Sequence, residues 1–213
     1  MATMQGDVLQ SGGVPALASG AKNVSAMFDR QGGLLVSELN GKYGALSISG
    51  RLFFAQAIVT APVIFSTAAG TGGPLLWNPP GSGVVAQLVA AGLGVTTVST
   101  VAAALGITGG VGQNVVPTST TAIDGSGNCY FGGAAAKVSS FRVGTVATAG
   151  AFLIPFGQLH TGALTVDNTG IEWFDLYGAL SFGPGGWASI AASATATTTV
   201  ATLGLLWAEL PLS

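Results

Sequence analysis

Val84-Val85-Ala86-Gln87-Leu88-Val89-Ala90-Ala91-Gly92-Leu93-Gly94-Val95-Thr96-Thr97-Val98-Ser99-Thr100-Val101 decides how this chain is read. It is uncharged, and continued to Ile107 it is long enough to cross a bilayer as a helix. Its content argues against that. Gln87, Gly92, Gly94, Thr96, Thr97, Ser99 and Thr100 interrupt it, Leu and Ile are sparse, and no Trp, Tyr, Lys or Arg anchor flanks it closely. Val and Thr favour the pleated, half-buried surface of a sheet. The stretch therefore reads as two strands hinged near Gly92 or Gly94.

The same composition extends over the whole chain. Only 7% of the residues are charged, against roughly a quarter in an ordinary soluble domain. No charge lies between Arg51 and Asp124, or between Asp175 and Glu209. Near-neutral surfaces promote association, so a chain this apolar belongs in a membrane, a fibre or a large assembly. Gly, Thr and Pro interrupt every candidate span, which leaves the fibre or the assembly. Six basic residues against eight acidic ones make no footprint for a phosphate backbone, so no nucleic-acid partner is expected. One cysteine, Cys129, excludes an internal disulfide framework and a cysteine-rich zinc site. The opening Met1-Ala2-Thr3-Met4-Gln5-Gly6-Asp7 has neither the basic start nor the apolar run of a secretory signal.

Helix formers with a solvent-facing charge are rare, and β-rich runs recur. Strands are expected at residues 43–49, 52–54, 57–60, 63–65, 138–146, 151–155, 171–177, 187–194 and 198–209. Turn signals separate them at Asn78-Pro79-Pro80-Gly81-Ser82-Gly83, Asp124-Gly125-Ser126-Gly127-Asn128 and Gly183-Pro184-Gly185-Gly186. Many short strands so spaced indicate an all-β sandwich or barrel over residues 41–213. Ala and Gly occupy both faces, as expected of strands covered on one side by the core and on the other by neighbouring subunits. Residues 1–40 differ. Glycines and Pro15 break any period, and five of the fourteen charges, Asp7, Lys22, Asp29, Arg30 and Glu38, lie there. This segment reads as an extended arm that becomes ordered against another chain.

Catalytic and ligand motifs are thin. The one histidine, His160, could be oriented by Asp124 or Asp167, or pair with Cys129, but no Gly-x-Ser-x-Gly elbow is present. Asp124, Ser126 and Asn128 have the opening spacing of a calcium loop, yet Ala135 stands where its bidentate Glu belongs. Gly81-Ser82-Gly83-Val84-Val85-Ala86 mimics a dinucleotide fingerprint without the acidic residue that should follow. The glycines of residues 106–112 lack the Lys-Ser/Thr of a phosphate loop. Glu172 and Asp175 point to opposite faces of one strand and could not flank a glycosidic bond. Asn23-Val24-Ser25 is a formal glycosylation sequon. No enzyme, metal or cofactor is expected. The four tryptophans, Trp77, Trp173, Trp187 and Trp207, are spaced as core or subunit-interface anchors, or as an exposed cluster that could bind sugar.

Arg30-Gln31-Gly32-Gly33, Val36-Ser37-Glu38-Leu39-Asn40-Gly41-Lys42-Tyr43 and Gly50-Arg51-Leu52-Phe53 together resemble the opening of a group of tailed-bacteriophage structural proteins. The run Leu76-Trp77-Asn78-Pro79-Pro80-Gly81-Ser82-Gly83 is similar to their "NPxGSG" turn, and Leu206-Trp207-Ala208-Glu209-Leu210-Pro211 to their closing strand. Asn40 stands where the group has His, and Gly44 where a second aromatic is common. The resemblance implies a virion surface component with a jelly-roll-like β domain, usually trimeric, on a capsid or tail. The expected function is that of a capsid decoration, or cement, protein on the outer shell. Its expected partners are the major capsid protein, further copies in a homotrimer, and neighbouring decoration subunits. A tail or head fibre binding a host glycan is the alternative. The expected contact residues are Met27, Phe28, Leu34, Leu35 and Tyr43 in and after the arm, Trp77 and Trp207 in the β domain, and Arg30 and Arg51 as polar anchors to capsid carboxylates.

Overall fold

The computed structural model describes residues 5–7, 9–11, 14–16, 24–25, 43–60, 72–97, 101–122, 127–129, 138–159, 171–194 and 199–212. Two compact units are present, Met1–Ser49 and Gly50–Ser213. In the first, β1 (Gln5–Asp7) pairs antiparallel with β4 (Val24–Ser25), and β2 (Leu9–Ser11) with β3 (Val14–Ala16) inside it. Part of the expected arm thus pairs with itself. The strand expected at residues 43–49 is instead a five-residue helix, α1 (Gly44–Ile48). Ala45 and Leu46 are good helix formers, Ser47 N–H donates to Tyr43 O at 2.9 Å, and Gly50 at φ 69° supplies a left-handed residue that no helix continues through.

The regular elements described in the second unit are all β. Its strands are β5 (Leu52–Thr60), β6 (Gly72–Trp77), β7 (Val84–Thr97), β8 (Ala103–Gly110), β9 (Thr118–Ala122), β10 (Gly127–Asn128), β11 (Ser140–Thr145), β12 (Ala151–Leu159), β13 (Ile171–Phe182), β14 (Trp187–Ala192) and β15 (Val200–Pro211). They form two antiparallel sheets, ordered β10-β5-β15-β7-β13 and β12-β8-β14-β6-β11-β9. Four pairings are nested: β8 with β12, β7 with β13, β6 with β14, and β5 with β15. The chain therefore runs out through β5 to β8 and back through β12 to β15 as one long hairpin. Rolling it up adds the pairs β15–β7 and β14–β8. Strands β9 to β11 are an excursion between the two arms.

No hinge divides residues 84–97. β7 is one strand of 14 residues, and neither Gly92 nor Gly94 is among the positive-φ glycines. Among the described residues no helix is long and apolar enough to cross a membrane.

The core lies between the sheets. Phe53, Ala55, Ala57 and Val59 alternate inward on β5, and Ala201, Leu203, Leu205 and Trp207 do so on β15. Leu105, Ile107, Phe141 and Ile190 meet them from the other sheet. Trp207 is wholly buried. Its ring stacks on Phe53 of its own sheet (centroids 5.9 Å apart) and on Phe141 of the facing one (6.4 Å). A second, smaller cluster of Leu75, Trp77, Val146 and Trp187 is also buried. Trp77 Nε1 donates to Gln113 O at 2.9 Å, and Trp187 Nε1 to Thr148 Oγ1 at 2.8 Å. Loops 111–117 and 146–150 thereby close over these tryptophans.

Replacing Trp207 with Ala empties the contact between the sheets and is expected to lower stability by about 3–5 kcal/mol. Urea denaturation of the folded variant measures it, and a loss under 1 kcal/mol would contradict the central place given to this ring.

Candidate interaction surfaces

Three loops meet at one end of the sandwich, two of them tied by the buried Asn78 and the third joined to them by the buried Gln113. Asn78 N–H donates to Gly186 O at 2.9 Å, and Gly185 N–H donates to Asn78 O at 2.7 Å. The Asn78 amide Nδ2 donates to Val84 O at 2.9 Å and to Phe182 O at 3.3 Å. Gln113 N–H donates to Gly185 O at 2.8 Å, and Leu212 N–H to Gly83 O at 2.9 Å. The Gln113 side chain accepts from Ala147 N–H at 2.9 Å and donates to Val115 O at 2.7 Å. Turns 78–83 and 183–186 and loop 111–117 are thus cross-linked through their backbones. On this frame stand Val111, Val115, Val116 and Leu212, all exposed, with Pro80 and Pro184 beside them. None of the three loops contains a charged residue.

A second surface is the outer face of the five-stranded sheet. Trp173 on β13 lies in register with Gly92 on β7, Gly92 with Gly204 on β15, and Gly204 with Gln56 on β5. A Cβ at Gly92 would sit 3.1 Å from Trp173 Cε2 and Cζ2 and 3.2 Å from Cδ2. These near-equal distances across the ring fusion mean that the flat of the indole, not its edge, rests on the strand. A side chain at this position would push the ring outward by a few tenths of an ångström or more. Trp173 is nevertheless 58% exposed. Asp175, two residues on, belongs to the same face by the period of the strand, and its Oδ1 accepts from Tyr177 N–H at 2.8 Å. Register then slips between Asp175 and Leu180, and Tyr177 stands exposed at φ 53°. A bulge at a sheet edge of this kind re-aims side chains and blunts the edge against further pairing.

Of the contact residues expected from the sequence, Met27, Phe28, Arg30, Leu34 and Leu35 lie outside the described residues. Tyr43 is half-buried beside α1, and Arg51 is exposed. Trp77 and Trp207 are corrected: both are buried within their own unit, one under loop 111–117 and one between the sheets, and neither offers surface to a partner. His160, Asp124 and Asp167 lie outside the described residues. Cys129 is half-buried, and burial pushes its thiol up, away from the lowered range of a reactive cysteine. Among the described residues no group of three or more His, Cys, Asp or Glu comes together to hold a metal.

Glu209 is the polar residue that sequence reasoning passed over. It is buried on β15, and its carboxylate accepts from Ser139 N–H at 2.7 Å and Val138 N–H at 2.8 Å. Trp207 Nε1 lies 3.4 Å from the same carboxylate. It therefore pins the start of β11, in one sheet, to β15, in the other. The available signal was a lone acid inside an otherwise apolar closing strand.

No family model, curated protein or solved structure matches the chain.

Glu209→Ala leaves the buried Ser139 N–H and Trp207 Nε1, and the part-buried Val138 N–H, without their acceptor and is expected to cost about 1–3 kcal/mol, with Glu209→Gln costing less because one acceptor oxygen survives. Chemical denaturation of both variants tests the order. Cys129 is expected to react slowly with a disulfide reagent at neutral pH and to gain rate only above the ordinary thiol range. Rapid reaction of the folded protein at pH 7 would contradict the burial effect.

Proposed function

We propose that this chain is a structural component of a viral shell: a decoration protein with a jelly-roll domain that binds the outer capsid surface as a homotrimer and stabilises the assembled particle. The winding supports the jelly-roll reading, since one long hairpin rolled into two four-stranded layers gives the double Greek key of that fold. The observation that carries the function is the loop end built on Asn78. It presents exposed aliphatic side chains and prolines, no charge, and a backbone already cross-linked before any partner arrives. Ordering costs little there, so burial of the apolar surface is available to binding. The Tyr43 and Arg51 contacts, with the arm residues Met27, Phe28, Arg30, Leu34 and Leu35, complete the proposed attachment to the major capsid protein and to neighbouring subunits.

The mechanism is mass action. A protein that binds the closed shell and not its free subunits shifts the equilibrium toward the shell. Trimers suit this role because a capsid lattice offers three-fold positions, and a closed ring buries a heterologous contact on every subunit.

Val115→Asp and Val116→Asp change exposed positions and should alter the stability of the isolated protein by no more than about 0.5 kcal/mol. Together they are expected to abolish co-sedimentation with capsids and to return the shell's melting temperature to that of undecorated particles. Capsids that melt at one temperature with and without the unmodified chain would remove the proposal, as would full binding by the double variant.

A further inference from the structure

We infer that the outer face of the five-stranded sheet is a saccharide-binding platform centred on Trp173, specific for neutral or amino sugars. This site is separate from the loop end proposed for shell attachment and does not depend on that reading.

The argument starts from how the ring is held. One π-face of the indole rests on the backbone at Gly92, and its Cη2 reaches to 3.5 Å from where a Cβ of Gly204 would stand. The residue as a whole is still 58% exposed. A tryptophan held this way leaves the outer face of its ring open as a flat apolar surface to which a ligand can stack. The other three tryptophans in this chain are all buried.

The surroundings choose the ligand. The Gln56 Cβ is 3.7 Å from the same Gly204 position, so the exposed Gln56, whose amide carries both donor and acceptor groups, is rooted on the same face within a side chain's length of the ring. Asp175 adds a carboxylate two residues along from Trp173. A flat apolar plate with amide and carboxylate groups at its border suits a pyranose ring, which has an apolar C–H face and hydroxyl groups around its edge. A protein hot spot would call for a pocket that is fully closed to water, and this plate is open and shallow. The carboxylate of Asp175, on the same face as the ring, sets the charge preference against acidic sugars.

With its three companions buried, Trp173 accounts for the tryptophan fluorescence of the native chain that acrylamide can quench. The test titrates the full chain with chitohexaose, mannan and laminarin, with polygalacturonate as the acidic control and choline as a cationic probe of the ring alone. At least one neutral or amino saccharide is expected to protect the fluorescence from acrylamide, while polygalacturonate does not. Trp173→Ala should weaken binding of that saccharide, followed by calorimetry, at least tenfold with an unchanged unfolding midpoint. Gly92→Val keeps the tryptophan but lifts the ring off the strand, and should weaken binding comparably. The inference is overturned if no saccharide in the panel protects, if choline protects as well as the best sugar, or if Trp173→Ala binds like the unmodified chain. Capsid co-sedimentation by Trp173→Ala is expected to be unimpaired, which keeps failure here distinct from failure of the shell reading.

Discussion

The backbone ladder of β15 is what the rest of the β unit depends on. This last strand is paired on one side to β5 and on the other to β7, along almost its full 12 residues. Its inward side chains supply Leu203, Leu205 and Trp207 to the core, and Glu209 reaches the facing sheet. Strands buried on both faces tolerate no unpaired N–H or C=O groups. The five-stranded sheet is therefore incomplete until β15 has inserted between β5 and β7. Pairings of such long sequence separation carry a loop-closure cost that is met before any contact rewards it. The winding that makes the fold also makes its C-terminal strand indispensable.

Within that frame, glycines and large aromatics have divided the work. At Gly92 and Gly204 the absence of side chains makes room for the Trp173 ring on one sheet. At Gly110 and Gly150 it makes room for Trp187 on the other, where added Cβ atoms would come within 2.9 Å and 2.7 Å of the indole. A low-charge chain rich in glycine is thus a chain with smooth strands on which a few broad rings can lie. The two rings differ in what covers them: loop residues close over Trp187, and solvent meets the outer face of Trp173.

This division explains what could and could not be read from the sequence. The all-β sandwich was legible, because turn residues at 78–83 and 183–186 and β-rich runs at 138–146, 151–155, 171–177 and 198–209 agree with strands β11, β12, β13 and β15. The hinge at Gly92 was not: a glycine that turns the chain and one that admits a neighbouring ring look alike until the partner is known. β6 was missed because Gly72, Gly73 and Pro74 read as a breaker, although its Leu75, Leu76 and Trp77 are all buried. Residues 43–49 look β-rich, yet a local hydrogen bond and a left-handed Gly50 decide for helix. Core and interface tryptophans share one spacing, so Trp77 and Trp207 could not be told from Trp173 before burial was known.

The shortage of charge takes on a narrower meaning in consequence. From the sequence, strands apolar on both faces called for neighbouring subunits to cover the second one. On the six-stranded sheet the chain does part of this itself, with loops 111–117 and 146–150 closing over Trp77 and Trp187. That covering relocates apolar surface and does not remove it, because Val111, Val115 and Val116 of the covering loop now stand exposed. The burden of neutrality is carried from the sheet to the end of the sandwich, where it is concentrated on a rigid, uncharged set of loops. A chain that had only to be insoluble would not need that frame of hydrogen bonds around Asn78. A frame that fixes exposed aliphatic side chains in place before binding is what a specific, repeated contact requires.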